Sequence, residues 1–363
     1  MPQQFKRKFQ KFLPYIKVAF LALFFLFVLN SLSKILSPIY KFAVDNRLTT
    51  PFFKSLLFDE NAPVKNYKGK TNVVILGISG GTHEGADLTD TIIFLSIDIK
   101  KKDALMLSIP RDIWSATLKD KINYAYHYGE EKQRGGGLLL SKAIVEEIVG
   151  QPLHYGVLID FNGFKKMVDF VGGVQIDVEV AFTDNFYPVP GRESDLCNGD
   201  PSFSCRYEKL VFEKGRQEMD GERVLKYVRS RQGEGNEGTD FGRSRRQQQV
   251  ILALKDKFLS SSFWQNPKKI KELLNLVNQV VTTDMNWSEK ILIGKSLFSQ
   301  KDGNIKRLSL DTGDEKKGEK GYLINPPSWQ YNGAWVLLHR SGDYEEIHEY
   351  IACNLENSNC SSR

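Results

Sequence analysis

The stretch Asn72–Asp112 reads NVVILGISGGTHEGADLTDTIIFLSIDIKKKDALMLSIPRD. It holds three short apolar runs: Asn72–Gly77 (NVVILG), Thr91–Ile97 (TIIFLSI) and Ala104–Ile109 (ALMLSI), the last closed by Pro110. Runs of this length, bounded by Gly, Pro or charge, read as buried strands. The polar segment Asp98–Asp103 (DIKKKD) is the turn between the second and third. If those two strands pair symmetrically about a centre between Lys100 and Lys101, Asp90 falls opposite Arg111. Directly opposed side chains lie roughly 5 Å apart, so a carboxylate and a guanidinium meet at one end of the hairpin. Alone, that pair is as readily a salt bridge closing a sheet end as part of a site. Thr89 and Asp112 make the same end more polar.

Outward from the hairpin, strands alternate with helices. Leu138–Val149 reads as a helix stopped by Gly150, and Tyr155–Ile159 as a strand. Asp160 caps a helix over Phe161–Val171, which Gly172 and Gly173 end. Val174–Val178 is a strand, and Thr183–Tyr207 a loop-like insertion. Asp220 caps a helix over Gly221–Tyr227, Gly233–Gly238 is a flexible loop, and a long helix runs from Phe241 to Phe258. Two further helices are expected within Pro267–Val281 and Trp287–Phe298, then a strand at Trp335–Leu338 and a helix over Tyr344–Leu355. This alternation predicts an α/β fold in α/β/α layers.

A basic cluster follows. Arg229 and Arg231, two apart in Tyr227–Arg231 (YVRSR), share a side of an extended segment. Arg243 and Gln247 are four apart on one helical face, in line with Val250, Leu254 and Phe258, which face the core. The two polar side chains therefore project along the buried side, where an arginine is costly unless it meets an anion. Arg245 falls on another face, as a solvated charge. Planar guanidinium forks match phosphate oxygens, and the inferred ligand is a pyrophosphate. The competing reading is a structural arginine network satisfied by Asp90, Asp112, Asp240 and backbone carbonyls. In Asp120–Gly129 (DKINYAYHYG), Lys121 reads as a point charge for phosphate and Asn123 as a positioning group, or equally the segment is a helix start capped by Asp120. His127 has no partner motif and reads as a surface or structural residue. GxSxG, HExxH, P-loop and dinucleotide-binding glycine patterns are absent.

The 363 residues, 41% hydrophobic and 26% charged, suffice for a sizeable core. A net charge of +6 suits an anionic ligand or membrane surface without demanding nucleic acid. Near the N-terminus, Lys6, Arg7, Lys8, Lys11 and Lys17 precede the apolar run Val18–Leu29, and a helix over Tyr15–Ile39 spans roughly 30 Å of hydrocarbon. The charge bias places the N-terminus in the cytoplasm and the rest outside. A cleaved signal peptide is the alternative, and it too exports the remainder. Two local cysteine pairs, Cys197 with Cys205 and Cys353 with Cys360, are the simplest disulfides for an oxidising compartment. Zinc is the weaker reading, without a CxxC or His pair.

The strings NVVILG, LTDTIIFLSID, LSIPRD, DKINYAYHYG, DFNGFKKMVDFVGGVQIDV, DGERVLKYVRSR and DFGRSRRQQQ stand in the order seen in LytR–CpsA–Psr proteins. From about Asn72 to Phe258 the chain resembles that family. The resemblance implies a mixed central sheet flanked by helices, with a polyprenyl lipid in an apolar tunnel. It also implies transfer of a glycosyl-phosphate polymer from a polyprenyl-pyrophosphate carrier to a cell-wall acceptor. Carried onto this sequence, it puts Asp90 at the position of a magnesium ligand and Arg111 at that of a catalytic arginine. Arg229, Arg231, Arg243 and Gln247 fall on pyrophosphate-binding positions with Arg246 beside them, and Lys121 falls near the acceptor. The implied organisation is a basic tail (1–14), a single-pass membrane anchor (15–40), a linker (41–70), an extracytoplasmic catalytic domain (71–260) and an α/β extension packing on or continuing it (261–363). Nucleic acid is not an expected partner of an exported domain without a helix-turn-helix pattern.

Two departures stand out. The family's G-x-D-x-R block reads Gly77-Ile78-Ser79-Gly80-Gly81 here, and Leu88 replaces an arginine two before Asp90. One metal ligand and one or two phosphate contacts are thereby lost, with His83, Glu84 or Asp87 as candidate substitutes. A lipid-pyrophosphate hydrolase and a non-catalytic lipid-binding protein of envelope assembly are the alternative functions.

Overall fold

The chain divides into two units, Met1–Pro63 and Val64–Arg363. The computed structural model describes scattered positions between 25 and 45, and 64–363 except 261–263, 265, 301–303, 315–318, 357–359 and 361–363. Apart from those scattered positions, the expected Tyr15–Ile39 anchor lies outside the described residues. Among the described residues no helix is long and apolar enough to cross a membrane.

The second unit is built on a six-stranded mixed sheet. Its centre is the stretch quoted above: β1 (Lys70–Ile78), β2 (Thr89–Asp98) and β3 (Asp103–Ser108), antiparallel neighbours in that order. Ile93 pairs with Ser108 and Ile97 with Ala104, which is the symmetric register expected from the turn. Asp98 steadies that turn by accepting from the backbone N–H of Lys100 and Lys101. Tyr155–Asp160 lies parallel to β1, and Val281–Thr283 antiparallel beyond it. Ile305–Ser309 closes the other edge, parallel to β3. The sequence reading missed both edge strands, because a three-residue VTT and the charged IKRLS carry too few apolar residues to register.

Alternation along the strands gives the sheet two apolar faces. Val74, Leu76, Phe94, Leu105 and Leu107 pack with Ile144 and Ile148 of the Gly136–Val149 helix and with Ile347 and Ile351 of the Glu345–Leu355 helix. A second core joins Val168, Val224, Val228, Val250 and Phe258, from the helices Phe161–Phe170, Gly221–Arg229 and Asp240–Ser260. Asp160 and Asp220 cap the first two by accepting from Gly163 N and Arg223 N, each bond contributing about 1 kcal/mol.

Two expectations change. The Thr183–Tyr207 segment is only partly a loop: Phe182–Pro188 pairs antiparallel with Tyr207–Phe212, and the Cys197–Cys205 disulfide closes the tip. Its apolar residues are interrupted by Asp, Asn and Pro, which masked the strand pattern. The strand expected at Trp335–Leu338 shrinks to Leu338–His339. Cys353 and Cys360 form the second disulfide.

Candidate functional site

A cavity of about 1190 Å³ opens where the end of the hairpin meets the N-terminal turns of the Asp240–Ser260 helix. Asp90, Arg111, Arg229, Arg231, Arg243 and Gln247 all line it. Arg111 donates from Nη1 to Asp90 Oδ1, as the register requires, and from Nε to Asp112 Oδ2 at 3.3 Å. Burial works against charge on Arg111, but Asp90 and Asp112 outweigh it and hold its pKa above the usual value.

Arg229 is the last residue of the Gly221–Arg229 helix and Arg231 follows it, so a helix end rather than an extended segment brings them together. Arg229 stacks over Phe161 at 4.5 Å and lies 6.0 Å from the Tyr187 ring. Among the described residues no carboxylate pairs with Arg229. Arg243 lies 2.9 Å from Asp240, and Arg231 reaches the same oxygen at 3.7 Å. Burial pushes the Arg243 guanidinium down to about 10, opposed by Asp240 and reinforced by Arg231 and Arg111. It stays charged at neutral pH, short of negative charge around it. Gln247 donates to Thr91 Oγ1 at 2.9 Å, tying the helix to β2.

The network reading thus holds for part of the cluster. Four guanidinium groups and three carboxylates line the cavity, the third being Asp184. Among the described residues Asp184 serves only neutral donors, Ser230 Oγ at 2.6 Å, Gln232 N and Phe186 N. One positive charge remains, and a pyrophosphate diester would bring two negative ones. A divalent cation beside that head group would take Asp90 as its protein ligand. Magnesium takes one or two carboxylates together with substrate phosphates, and Asp90 faces the cavity with its Oδ2 outside the Arg111 pair.

Two residues expected at the ligand stand outside the cavity lining. Arg246, only 1% exposed, does not line the cavity. Its Nε donates to Tyr227 O, Nη1 to Glu237 O and Oε2, and Nη2 to Ser230 O, at 2.6–2.8 Å. These bonds satisfy carbonyls at the end of the helix that carries Arg229, so Arg246 positions its neighbours. Lys121 also stands outside the lining and donates to Asp112 Oδ1 at 2.9 Å, supporting the carboxylate that orients Arg111. Arg245 pairs with Glu237 on the exposed side, as expected.

The substitutes suggested for the missing acid do not join Asp90. His83 hydrogen-bonds Ser79, Asp87 holds His127, and none of His83, Glu84 or Asp87 lines the cavity. Gly80 and Gly81 adopt φ of 70° and 92°, so this loop takes a path that side-chain-bearing residues strain to follow. The described residues hold one close group of metal-ligating types, Asp195, Cys197 and Cys205, and its cysteines are joined in a disulfide.

Beside the cavity lies an apolar recess of about 100 Å³, lined by Ile75, Ile93, Phe164, Leu225, Val250 and Ile251 among others. Thr91, Phe161, Val228 and Gln247 border both spaces. The sequence reading missed a third part of the wall: Phe186, Tyr187, Ser202 and Tyr207 from the disulfide-closed arm, with Thr312 and Trp335. Nothing in periodicity marks these residues, since they converge only through tertiary structure.

The LytR_cpsA_psr family model matches residues 46–332. The chain is similar to TagV of Bacillus subtilis (strain 168), a polyisoprenyl-teichoic acid–peptidoglycan teichoic acid transferase, at 29% identity over 299 residues, 80% of this chain and 69% of TagV. The crystal structure of B. subtilis TagV shares the fold with a TM-score of 0.55 and 25% identity, covering 80% of this chain and 99% of that one. The LytR-CPS2A-psr family protein YwtF (TagT) with bound octaprenyl pyrophosphate lipid matches with a TM-score of 0.51 and 22% identity, over 81% and 94%.

Proposed function

Because this chain belongs to the LytR_cpsA_psr family, we propose that it transfers a glycosyl phosphate from a polyprenyl-pyrophosphate carrier to a hydroxyl of a cell-wall glycan. The observation that carries this reading is the junction of an arginine-lined cavity with an apolar recess. A lipid pyrophosphate is itself such a junction, a doubly charged head on a greasy tail. TagV is named for a reaction of this class, and TagT holds an octaprenyl pyrophosphate on the same fold.

Arg229, Arg231, Arg243 and Gln247 bind the pyrophosphate. The acceptor oxygen attacks the phosphorus that carries the sugar, a new P–O bond forms, and the bond to the bridging oxygen breaks. Polyprenyl phosphate leaves, and the hydroxyl proton passes to a cavity carboxylate, Asp90 or Asp240. Arg111 stabilises charge gathering on the transferred phosphoryl oxygens, with Asp90 and Asp112 fixing its orientation before reaction. Asp90, with phosphate oxygens, would hold Mg²⁺, which neutralises charge on the departing phosphate when bound. No nucleotide is consumed, since one phosphoanhydride is exchanged for a phosphodiester. The Tyr15–Ile39 segment would anchor the enzyme, with its basic tail in the cytoplasm and the site outside.

The test is a transfer assay with the full chain, magnesium, a polyprenyl-pyrophosphate-linked oligosaccharide and a peptidoglycan acceptor. Expected is polyprenyl phosphate release that depends on the acceptor and yields a glycan–phosphate–glycan product. Equal release without acceptor assigns a hydrolase instead, and lipid binding without release assigns a non-catalytic carrier.

A further inference from the structure

We propose that Phe186, Tyr207 and Trp335 form a stacking subsite for the first sugar of the donor glycan, on the side of the cavity away from the apolar recess; this rests on the pyrophosphate reading above. The argument starts from exposure. Phe186 is 58% exposed, Tyr207 40% and Trp335 46%, and all three line the arginine cavity. Large aromatic side chains left open in one concave, partly charged space mark a binding surface rather than unfilled core.

Direction decides the occupant. A carrier diphosphate bears its tail on one phosphate and its sugar on the other. The apolar recess, where the first units of the tail would enter, meets the cavity at Thr91, Phe161, Val228 and Gln247. None of Phe186, Tyr207 and Trp335 lines that recess. With the tail in the recess and the head on the arginines, the sugar is directed to the remaining wall. There, flat ring faces match the C–H faces of a pyranose, and Ser202 and Thr312, which line the same cavity, offer hydroxyls for its polar rim.

The wall is held in place. The Phe186 and Tyr207 rings meet edge to face, 5.8 Å apart at 85°. Asp184 ties their arm to the segment that carries Arg231 through Ser230 Oγ and Gln232 N on either side of it. The Cys197–Cys205 bridge closes the intervening tip, within which Arg206 stacks on Phe203 at 3.9 Å. Trp335 comes from beyond the stretch that the family model matches, which ends at residue 332.

The experiment compares affinities of the full chain for two probes, bare polyprenyl pyrophosphate and polyprenyl-pyrophosphate N-acetylglucosamine, with a free N-acetylglucosamine tetramer as acceptor mimic. The sugar is expected to strengthen binding about tenfold in the native chain. Phe186→Ala with Tyr207→Ala, and separately Trp335→Ala, are expected to erase that increment while bare-lipid affinity persists, which also shows that the variants fold. An increment that survives both variants, or is absent in the native chain, overturns the subsite. So does loss confined to the free tetramer, which would seat the acceptor there instead. A native chain that fails to bind the bare lipid refutes the pyrophosphate reading itself, a distinct outcome.

Discussion

Arg243 and Arg246 stand one turn apart on the same helix, yet they serve different ends. Arg246 is enclosed, with three backbone carbonyls and one carboxylate on its donors. Arg243 faces a cavity and shares the Asp240 carboxylate with Arg231. Burial depresses the pKa of both guanidinium groups. For Arg246 the compensating partners are built in. For Arg243 they are incomplete, and in the proposed function an incoming diphosphate would complete them. A buried arginine announces only that an anion or a set of carbonyls is needed; the neighbours decide whether protein or ligand supplies it.

Substitutions sharpen the contrast. Arg111→Ala removes the group proposed to stabilise charge on the transferred phosphoryl oxygens. Transfer should fall about 1000-fold or more, with denaturant midpoint unchanged; retained turnover would remove Arg111 from the chemistry. Arg246→Ala leaves several helix-end carbonyls unpaired in the interior, and Glu237 with Arg245 alone. It should cost about 3–5 kcal/mol in urea unfolding, and a stability close to native would break the distinction drawn here. Arg243→Ala should reverse that pattern, weakening polyprenyl-pyrophosphate binding about 10–100-fold while leaving stability at or above native. Arg245→Ala, on the exposed face, should change stability by no more than about 0.5 kcal/mol and binding not at all.

The same contrast shows what could be read from the sequence. The Asp90–Arg111 encounter followed from strand pairing alone, because the DIKKKD turn fixes the register. Arg243 and Gln247 followed from helical spacing, and the caps Asp160 and Asp220 from local chemistry. The fate of Arg246 did not, because its partners come from Tyr227, Ser230 and Glu237, on a neighbouring helix and loop. The pairing of Lys121 was hidden for a similar reason: its partner, Asp112, stands nine residues away. The aromatic wall was hidden more deeply. Phe186, Tyr207 and Trp335 are dispersed along the chain and carry no periodicity, and only the paired arm and the packing of the C-terminal part assemble them.

The most direct test of the central claim is a structure of the full chain with polyprenyl pyrophosphate bound. The account predicts diphosphate density within hydrogen-bond reach of Arg229, Arg231, Arg243 and Gln247, with the tail entering past Val228 toward Val250 and Ile251. A head group seated elsewhere, with those arginines still facing only Asp240 and solvent, would contradict it.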